Sequence, residues 1–348
     1  MRGVTFFGDR KLKLAEFPDP TPGPHDVIVE IKASGMCGSD LKFYRATGST
    51  SSLGLGTARG HLIAGHEPCG VVAAIGSAVG DRTARVGARV MVHHYSGCGV
   101  CQHCLSGWSQ MCIDGSIVYG VTGHGAHAPY MQVPAHTLVA LPDDLSFATG
   151  AAISCGTGTA YAALRRMNLS GAQTIAIVGQ GPVGLSATQL ATAMGARVIA
   201  LDISTERLTR AKEFGADALI DPSVDDPVAA IKALTHSVGA DLTLDTSGVA
   251  EGRLAAVRGT RPWGIACFVG EGGDVALDVS PDLLRKQLTI IGSWTFSKTI
   301  QAECAQFVAD REIAVEHLFT HRWELSQADE AYRLFDRQTS GKGVFIMP

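Results

Sequence analysis

The chain has 348 residues, 46% of them hydrophobic and 18% charged, with a formal net charge of −4 at pH 7. That length suits two domains, each able to bury a core; with no basic block the charge argues against nucleic acid or a membrane surface as partner, and no apolar run is long enough to span a bilayer. Nine cysteines, four of them crowded into 98–112, read as metal binding in a reducing compartment rather than a disulfide framework, and Asp9, Arg10 and Lys11 interrupt the N-terminus before a signal-peptide core forms, so the cytoplasm is the expected location.

Val4–Phe7, Leu12–Phe17 and the strictly alternating Asp26–Ala33 predict strands, with a turn-rich connection over Pro18–His25. Thr47–Gly60 is rich in Gly, Ser and Thr; it is either a cover over a substrate site or a surface insertion. Gly70–Ile75 and Ala88–His93 predict further strands, followed by the cysteine-rich lobe, a Gly/His-rich loop at Gly123–His127 and the strand-like Ala128–Val133. Residues 1–155 are thus expected to form a β-rich domain. Thr157–Arg166 has helical spacing and opens a second domain, expected over 156–291. There, short apolar strands (Thr174–Val178, Arg197–Leu201, Ala218–Ile220, Asp241–Leu244, Ile265–Val269, Leu288–Ile291) alternate with helical patterns (Pro182–Met194, Glu206–Phe214, Val228–Leu234). Such alternation predicts a doubly wound parallel sheet, and an α/β chain overall. The more charged stretch 292–348, with helices over Gln301–Arg311 and Ala328–Arg337, is expected to return to the first domain.

Gly179-Gln180-Gly181-Pro182-Val183-Gly184 is a G-x-G-x-x-G that follows a predicted strand and opens a predicted helix, with Asp202 ending the next strand. In that context it reads as a dinucleotide loop. Its glycines permit a tight turn, close backbone approach to a pyrophosphate and close helix–strand packing, while the helix N-terminus favours the phosphate charge. Asp202 would bond the ribose hydroxyls and repel a 2′-phosphate, which predicts NAD over NADP. Arg207 either reaches the ribose or pyrophosphate or is a solvated helix residue.

Cys98-x2-Cys101-x2-Cys104-x7-Cys112 supplies four thiolates, the ligand set of a closed tetrahedral zinc site. Gly97, Gly99 and Gly107 allow the turns it needs. An iron–sulfur cluster is the alternative; the Lys-poor surroundings disfavour a nucleic-acid zinc ribbon.

Taken with Cys37-Gly38-Ser39-Asp40, Gly65-His66-Glu67 and Cys155, in this order and spacing, these motifs resemble the zinc-dependent medium-chain alcohol dehydrogenases, a family that includes polyol and threonine dehydrogenases. The resemblance spans essentially the whole chain. It implies a GroES-like catalytic domain, a Rossmann domain and an active site in the cleft between them. It further implies two zinc ions per chain, a nicotinamide cofactor, an alcohol or carbonyl substrate and a homodimer or homotetramer. Cys37, His66 and Cys155 would hold the catalytic zinc, leaving a position open; Glu67 would ligate it or stand behind it. Ser39 matches the hydroxyl that takes the alcohol proton, and Asp40 the carboxylate that holds the zinc histidine from behind. On the residues alone, Ser39 also suits a helix cap, Asp40 a surface acid and Cys155 an inert buried thiol. His94 and Trp294 fall where the family lines its substrate pocket, and His94 points to a polyol, sugar or hydroxy acid. One departure is Lys42, which stands where many alcohol dehydrogenases place a proton-relay histidine. A zinc-free quinone or enone reductase, and a non-catalytic protein that kept the fold, are the alternative readings.

Overall fold

The computed structural model describes residues 1–47, 62–337 and 341–348. It has two compact units, one formed by Met1–Cys155 with Phe296–Pro348, the other by Gly156–Thr295.

The first unit is built on a seven-stranded sheet. Its order is Phe319–Trp323, Lys342–Ile346, Asp26–Gly35, Glu67–Ile75, Arg89–Val92 and Leu138–Ala140, with Tyr130–Pro134 paired onto Asp26–Gly35. Asp26–Gly35 is central, and a central strand is covered on both faces. It therefore buries Ile28 as well as Val27, Val29 and Ile31, where strict alternation predicted one solvated face. The core gathers these valines with Val72, Val90, Val133, Tyr332 and Phe345. The strand expected from Gly70 starts at Glu67 instead, because Gly35, Ser34 and Ala33 pair antiparallel with Glu67, Pro68 and Cys69. The register slips between Ile28 and Val29 and between Ile31 and Ala33, bulges that bend this pair near its end.

A helix over Phe147–Ile153, which sequence periodicity did not predict, is capped by Ser146, whose hydroxyl accepts the Thr149 N–H. Its residues are small, and Ala148 to Ile153 are all buried, so no polar face marks it in the sequence. The C-terminal helix expected from Gln301 spans Lys298–Asp310, because Ser297 caps it by accepting the Ile300 N–H.

The second unit is a six-stranded sheet in the order Ala218–Ile220, Arg197–Leu201, Thr174–Val178, Ala240–Asp245, Thr260–Phe268 and Thr289–Gly292. Every neighbouring pair is parallel. Helices over Pro182–Ala193, Thr205–Glu213, Pro227–Leu234 and Ala250–Gly259 connect the strands. This is the doubly wound topology, with the reversal of strand order at Thr174–Val178. The unit extends to Thr295, past the junction expected after residue 291. Ser293 N–H donates to the Phe268 carbonyl and the Trp294 ring N–H to Glu271, which keeps both residues with the sheet. Among the described residues, no helix is long and apolar enough to cross a membrane.

Candidate active site

Cys37, His66, Glu67 and Cys155 each offer one ligand atom, and these atoms lie within 4.8 Å of one another. The sheet accounts for this convergence. Asp26–Gly35 runs directly into Cys37, and its partner strand begins at Glu67 opposite Gly35. A Cβ on Gly35 would collide with Glu67 Oε2, so only glycine lets the carboxylate lie against that backbone. Gly65, at φ +90°, turns the chain into His66. Cys155 follows the buried helix Phe147–Ile153.

The Cys37 and Cys155 sulfurs are hydrogen-bonded at 3.8 Å, with no disulfide between them. Ser39 Oγ donates to Cys37 Sγ at 3.3 Å and stands 3.1 Å from His66 Nε2. Although Ser39 precedes the helix Asp40–Arg45, its side chain makes no capping bond; it is committed to the cluster instead. Asp40 is buried, not a surface acid. Its Oδ2 accepts the Cys37 N–H at 2.9 Å, and its Oδ1 lies 2.9 Å from His66 Nδ1. Asp40 thus stands behind the His66 ring, and Nε2 faces Ser39 and the sulfurs. Cys37, Ser39 and Cys155 are half-buried while Asp40, His66 and Glu67 are buried, so the cluster is open on the thiol and hydroxyl side.

The two thiols shift in opposite directions: Cys155 is held well above its ordinary value, first by the hydrogen bond with Cys37 and then by burial. The Cys37 thiol is held well below its ordinary value, first by the hydrogen bond with Cys155 and then by His66, against the opposing effect of burial. Burial pushes the Glu67 carboxyl up to about 8, and Lys342 pulls in the other direction. Lys342 Nζ is 2.7 Å from both Glu67 oxygens and donates to the Met36 carbonyl at 2.9 Å. Burial lowers the Lys342 pKa, but Glu67 and Cys37 outweigh it and keep the ammonium charged. Two thiols, an imidazole nitrogen and a carboxylate are a donor set that suits zinc. Glu67 Oε1 accepts from Lys342, while its buried Oε2 has no hydrogen-bond partner among the described residues.

The second cluster is Cys98, Cys101, Cys104 and Cys112, also within 4.8 Å. Here neighbouring backbone directs the sulfurs: Cys98 N–H donates to Cys112 Sγ and Cys101 N–H to Cys98 Sγ, both at 3.3 Å. Gly99 and Gly107 adopt positive φ, and a Cβ on Gly97 would lie 2.5 Å from Cys104 Sγ. The Cys101 thiol is lowered to about 6, first by the Cys104 N–H and then by that of Ile113, which favours a thiolate.

In the second unit the three loop glycines have separate roles. Gly179 takes φ +89°. Gly181 has nothing within 4 Å of a would-be Cβ, leaving its backbone open to a phosphate. A Cβ on Gly184 would collide with the Gly179 carbonyl. Gly181 caps the helix Pro182–Ala193, with Pro182 in its first turn and Val183 beside it. Asp202 Oδ2 accepts the Gln180 N–H at 2.6 Å, tying the acid to the loop. Arg207 Nη1 is 3.7 Å from Asp202 Oδ2, so it faces the acid.

His94 joins the first cluster: its ring is 5.3 Å from that of His66 and its Nδ1 meets the Ser154 carbonyl at 2.9 Å. Trp294 is in the second unit, 45% exposed, its ring N–H on Glu271 at 2.7 Å. Apart from Thr47, the loop Thr47–Gly60 lies outside the described residues. Sequence reasoning missed three buried residues: Lys342, His127 and Tyr332. A lone lysine between Gly341 and Gly343, at the start of an apolar strand, was the available signal for the first.

A family model described as the alcohol dehydrogenase GroES-like domain matches residues 23–143, and one described as zinc-binding dehydrogenase matches 182–310. The chain is 40% identical over 348 residues to an uncharacterized zinc-type alcohol dehydrogenase-like protein, YphC, of Escherichia coli K12, covering 98% of this chain and 97% of that one. It is 30% identical to the sorbitol dehydrogenase of Bacillus subtilis, covering 95% and 92%. The crystal structure of galactitol-1-phosphate dehydrogenase from Escherichia coli superposes with a TM-score of 0.88 at 29% identity, over 100% of both chains.

Proposed function

Because the chain belongs to the zinc-type alcohol dehydrogenase family of medium-chain dehydrogenases, we propose that it is an NAD-linked enzyme that interconverts an alcohol, a polyol or sugar alcohol in particular, with its ketone or aldehyde. The observation that carries this reading is the convergence of Cys37, His66, Glu67 and Cys155 within 4.8 Å, open on one side. In this reading Cys37, His66 and Cys155 hold the catalytic zinc, Lys342 keeps Glu67 behind it, and the four-cysteine lobe holds a second zinc. When bound, the zinc supplies Lewis acidity to the substrate oxygen and the nicotinamide accepts or returns the hydride.

The chain's own residues do the rest. Ser39 Oγ, on the open side, takes the hydroxyl proton of the substrate. Asp40 holds His66 so that its Nε2 faces the metal. His94, whose Nδ1–H is spent on the Ser154 carbonyl, keeps Nε2 as an acceptor for a second substrate hydroxyl. Burial holds its pKa well below the ordinary histidine value, so that lone pair stays available. This favours a polyol over a simple apolar alcohol. The Gly181 backbone and the N-terminus of Pro182–Ala193 bind the pyrophosphate, and Asp202 binds the ribose hydroxyls. The compartment we propose is the cytoplasm, consistent with nine free cysteines, and the assembly a homodimer or homotetramer.

The test is an absorbance assay for reduced nicotinamide, with NAD and NADP in parallel against simple alcohols, polyols and sugars. Reduction of NAD with a polyol is the expected result. A flat trace across the panel with both cofactors removes the enzymatic reading, and faster reduction of NADP removes the argument from Asp202.

A further inference from the structure

The first unit contains a buried polar chain that reaches Asp40 through three residues to which the proposed reaction gives no role. Ser34, His127, Tyr332 and Asp40 are all at most 1% exposed and come from four separate stretches of sequence. Ser34 Oγ is 2.7 Å from His127 Nδ1, His127 Nε2 is 2.7 Å from the Tyr332 hydroxyl, and that hydroxyl donates to Asp40 Oδ2 at 3.3 Å. Asp40 Oδ1 then faces His66 Nδ1 at 2.9 Å.

The direction of each bond follows from what each group is able to donate. A carboxylate only accepts, so the Tyr332 proton points to Asp40. The Tyr332 oxygen therefore accepts from His127, which puts the His127 proton on Nε2. A neutral imidazole then has its lone pair on Nδ1, and Ser34 donates to it. Burial, which lowers the His127 pKa to about 4, keeps that ring neutral. Each donor from Ser34 to Tyr332 is matched, and the chain ends at Asp40, whose Oδ1 lies 2.9 Å from His66 Nδ1.

We infer that Tyr332 and His127 are positioning residues for the metal centre: with Ser34 they form a one-directional hydrogen-bond chain that fixes Asp40 and so presents the Nε2 lone pair of His66 to the metal. The inference rests on the reading that Cys37, His66 and Cys155 hold zinc. Two features separate this role from mere filling of the core. The ring of Tyr332 packs on Phe6, Tyr44 and Phe345 at 4.9, 5.5 and 6.3 Å, contacts that need no hydroxyl. Gly65, next to His66, is where a Cβ would collide with His127 Nδ1, so the backbone at the ligand is shaped around this histidine.

The experiment uses the full-length, zinc-loaded protein and follows release of zinc to a competing chelator, with the zinc of the cysteine lobe as internal reference. Partners that orient a ligand in this way change metal affinity by about 10–100-fold. Tyr332→Phe removes one oxygen and should weaken zinc binding at the His66 site by about tenfold, with the lobe zinc retained and only the modest fall in melting temperature expected from leaving the His127 N–H without its acceptor. In the cobalt-substituted protein its visible ligand-field spectrum should shift, which a loss of packing elsewhere would not produce. His127→Gln still offers an N–H to Tyr332 and should retain more metal than His127→Leu. This pair decides the matter if Tyr332→Phe does not fold. Metal binding and spectra equal to wild type in Tyr332→Phe, with His127→Gln and His127→Leu indistinguishable, would overturn the inference alone. Loss of both zincs together would also overturn it, as a packing effect. A wild-type protein that holds zinc only in the lobe would remove the underlying reading, and the inference with it.

Discussion

The two thiol clusters both gather their ligand atoms within 4.8 Å of one another but are built in different ways. The lobe draws four cysteines from 98–112 and directs its sulfurs with its own backbone N–H groups. The other cluster draws Cys37 and Cys155 from positions 118 residues apart and fixes its ligands with side chains of the surrounding fold. Asp40 holds one ligand and Lys342 restrains another. A site built from a short segment can be chemically closed but has little beyond its ligands to tune it. A site built by a sheet can leave one position open, because the fold rather than the metal fixes the geometry.

The largest expected effect separates the two clusters directly. His66→Ala should lower turnover by about a thousandfold or more, since Lewis-acid stabilisation is worth several kcal/mol, and should leave the lobe zinc in place. Cys101→Ser should do the reverse, with the lobe zinc lost, stability lowered by about 2–4 kcal/mol and zinc kept at His66. Metal analysis of the two purified variants distinguishes them; if each variant loses both ions, the clusters are not independent.

Next is Lys342→Met. Removing the ammonium takes away what lowers the Glu67 pKa, so the buried carboxyl takes up a proton; loss of the pair should cost up to about 3–5 kcal/mol in denaturant unfolding. The double variant Lys342→Met, Glu67→Leu should recover most of that loss. A single variant as stable as wild type would mean that the restraint on Glu67 lies elsewhere.

Acid should act on the sheet-built cluster's surroundings through His127. Its folded value of about 4 lies below the unfolded value of about 6.5, so the unfolded chain takes up the proton first. The stability it contributes is complete above about pH 6.5 and is lost as pH falls towards 4, by about 3 kcal/mol at most. Unfolding curves at several pH values should show a shallower dependence in His127→Gln than in wild type. Equal slopes would show that His127 is not the group responsible.

The smallest effect belongs to the lobe. Gly97→Ala puts a Cβ 2.5 Å from Cys104 Sγ, so the turn must shift. A cost of about 1–2 kcal/mol and faster release of the lobe zinc are expected, with turnover unchanged. An effect on the His66 zinc would contradict the local character of the lobe.

What the sequence made legible follows the same division. The cysteine lobe and the glycine loop are short-range patterns, and spacing alone singled out Cys98, Cys101, Cys104, Cys112, Gly179, Gly181 and Gly184 as candidates. Cys37, His66 and Cys155 needed a family resemblance, because nothing local joins them. Lys342 and Tyr332 were out of reach: they meet Glu67 and Asp40 across 275 and 292 residues. Asp40 itself read as a possible surface acid until the fold surrounded it. The helix Phe147–Ile153 was missed for a related reason. Its residues are buried on every side, so no polar period marks it.

The discontinuous first unit also bears on how the protein is made. Synthesis delivers Cys37, His66, Glu67 and Cys155 before the interposed unit, whereas Tyr332 and Lys342 follow it. The interposed unit Gly156–Thr295 is one contiguous stretch, free to fold while it waits. Until the strand Lys342–Ile346 joins the sheet, Glu67 has no ammonium beside it and Asp40 no phenol. On the proposed reading, the metal site therefore reaches its final geometry only when Lys342–Ile346 has joined the sheet, and not when its ligands first appear.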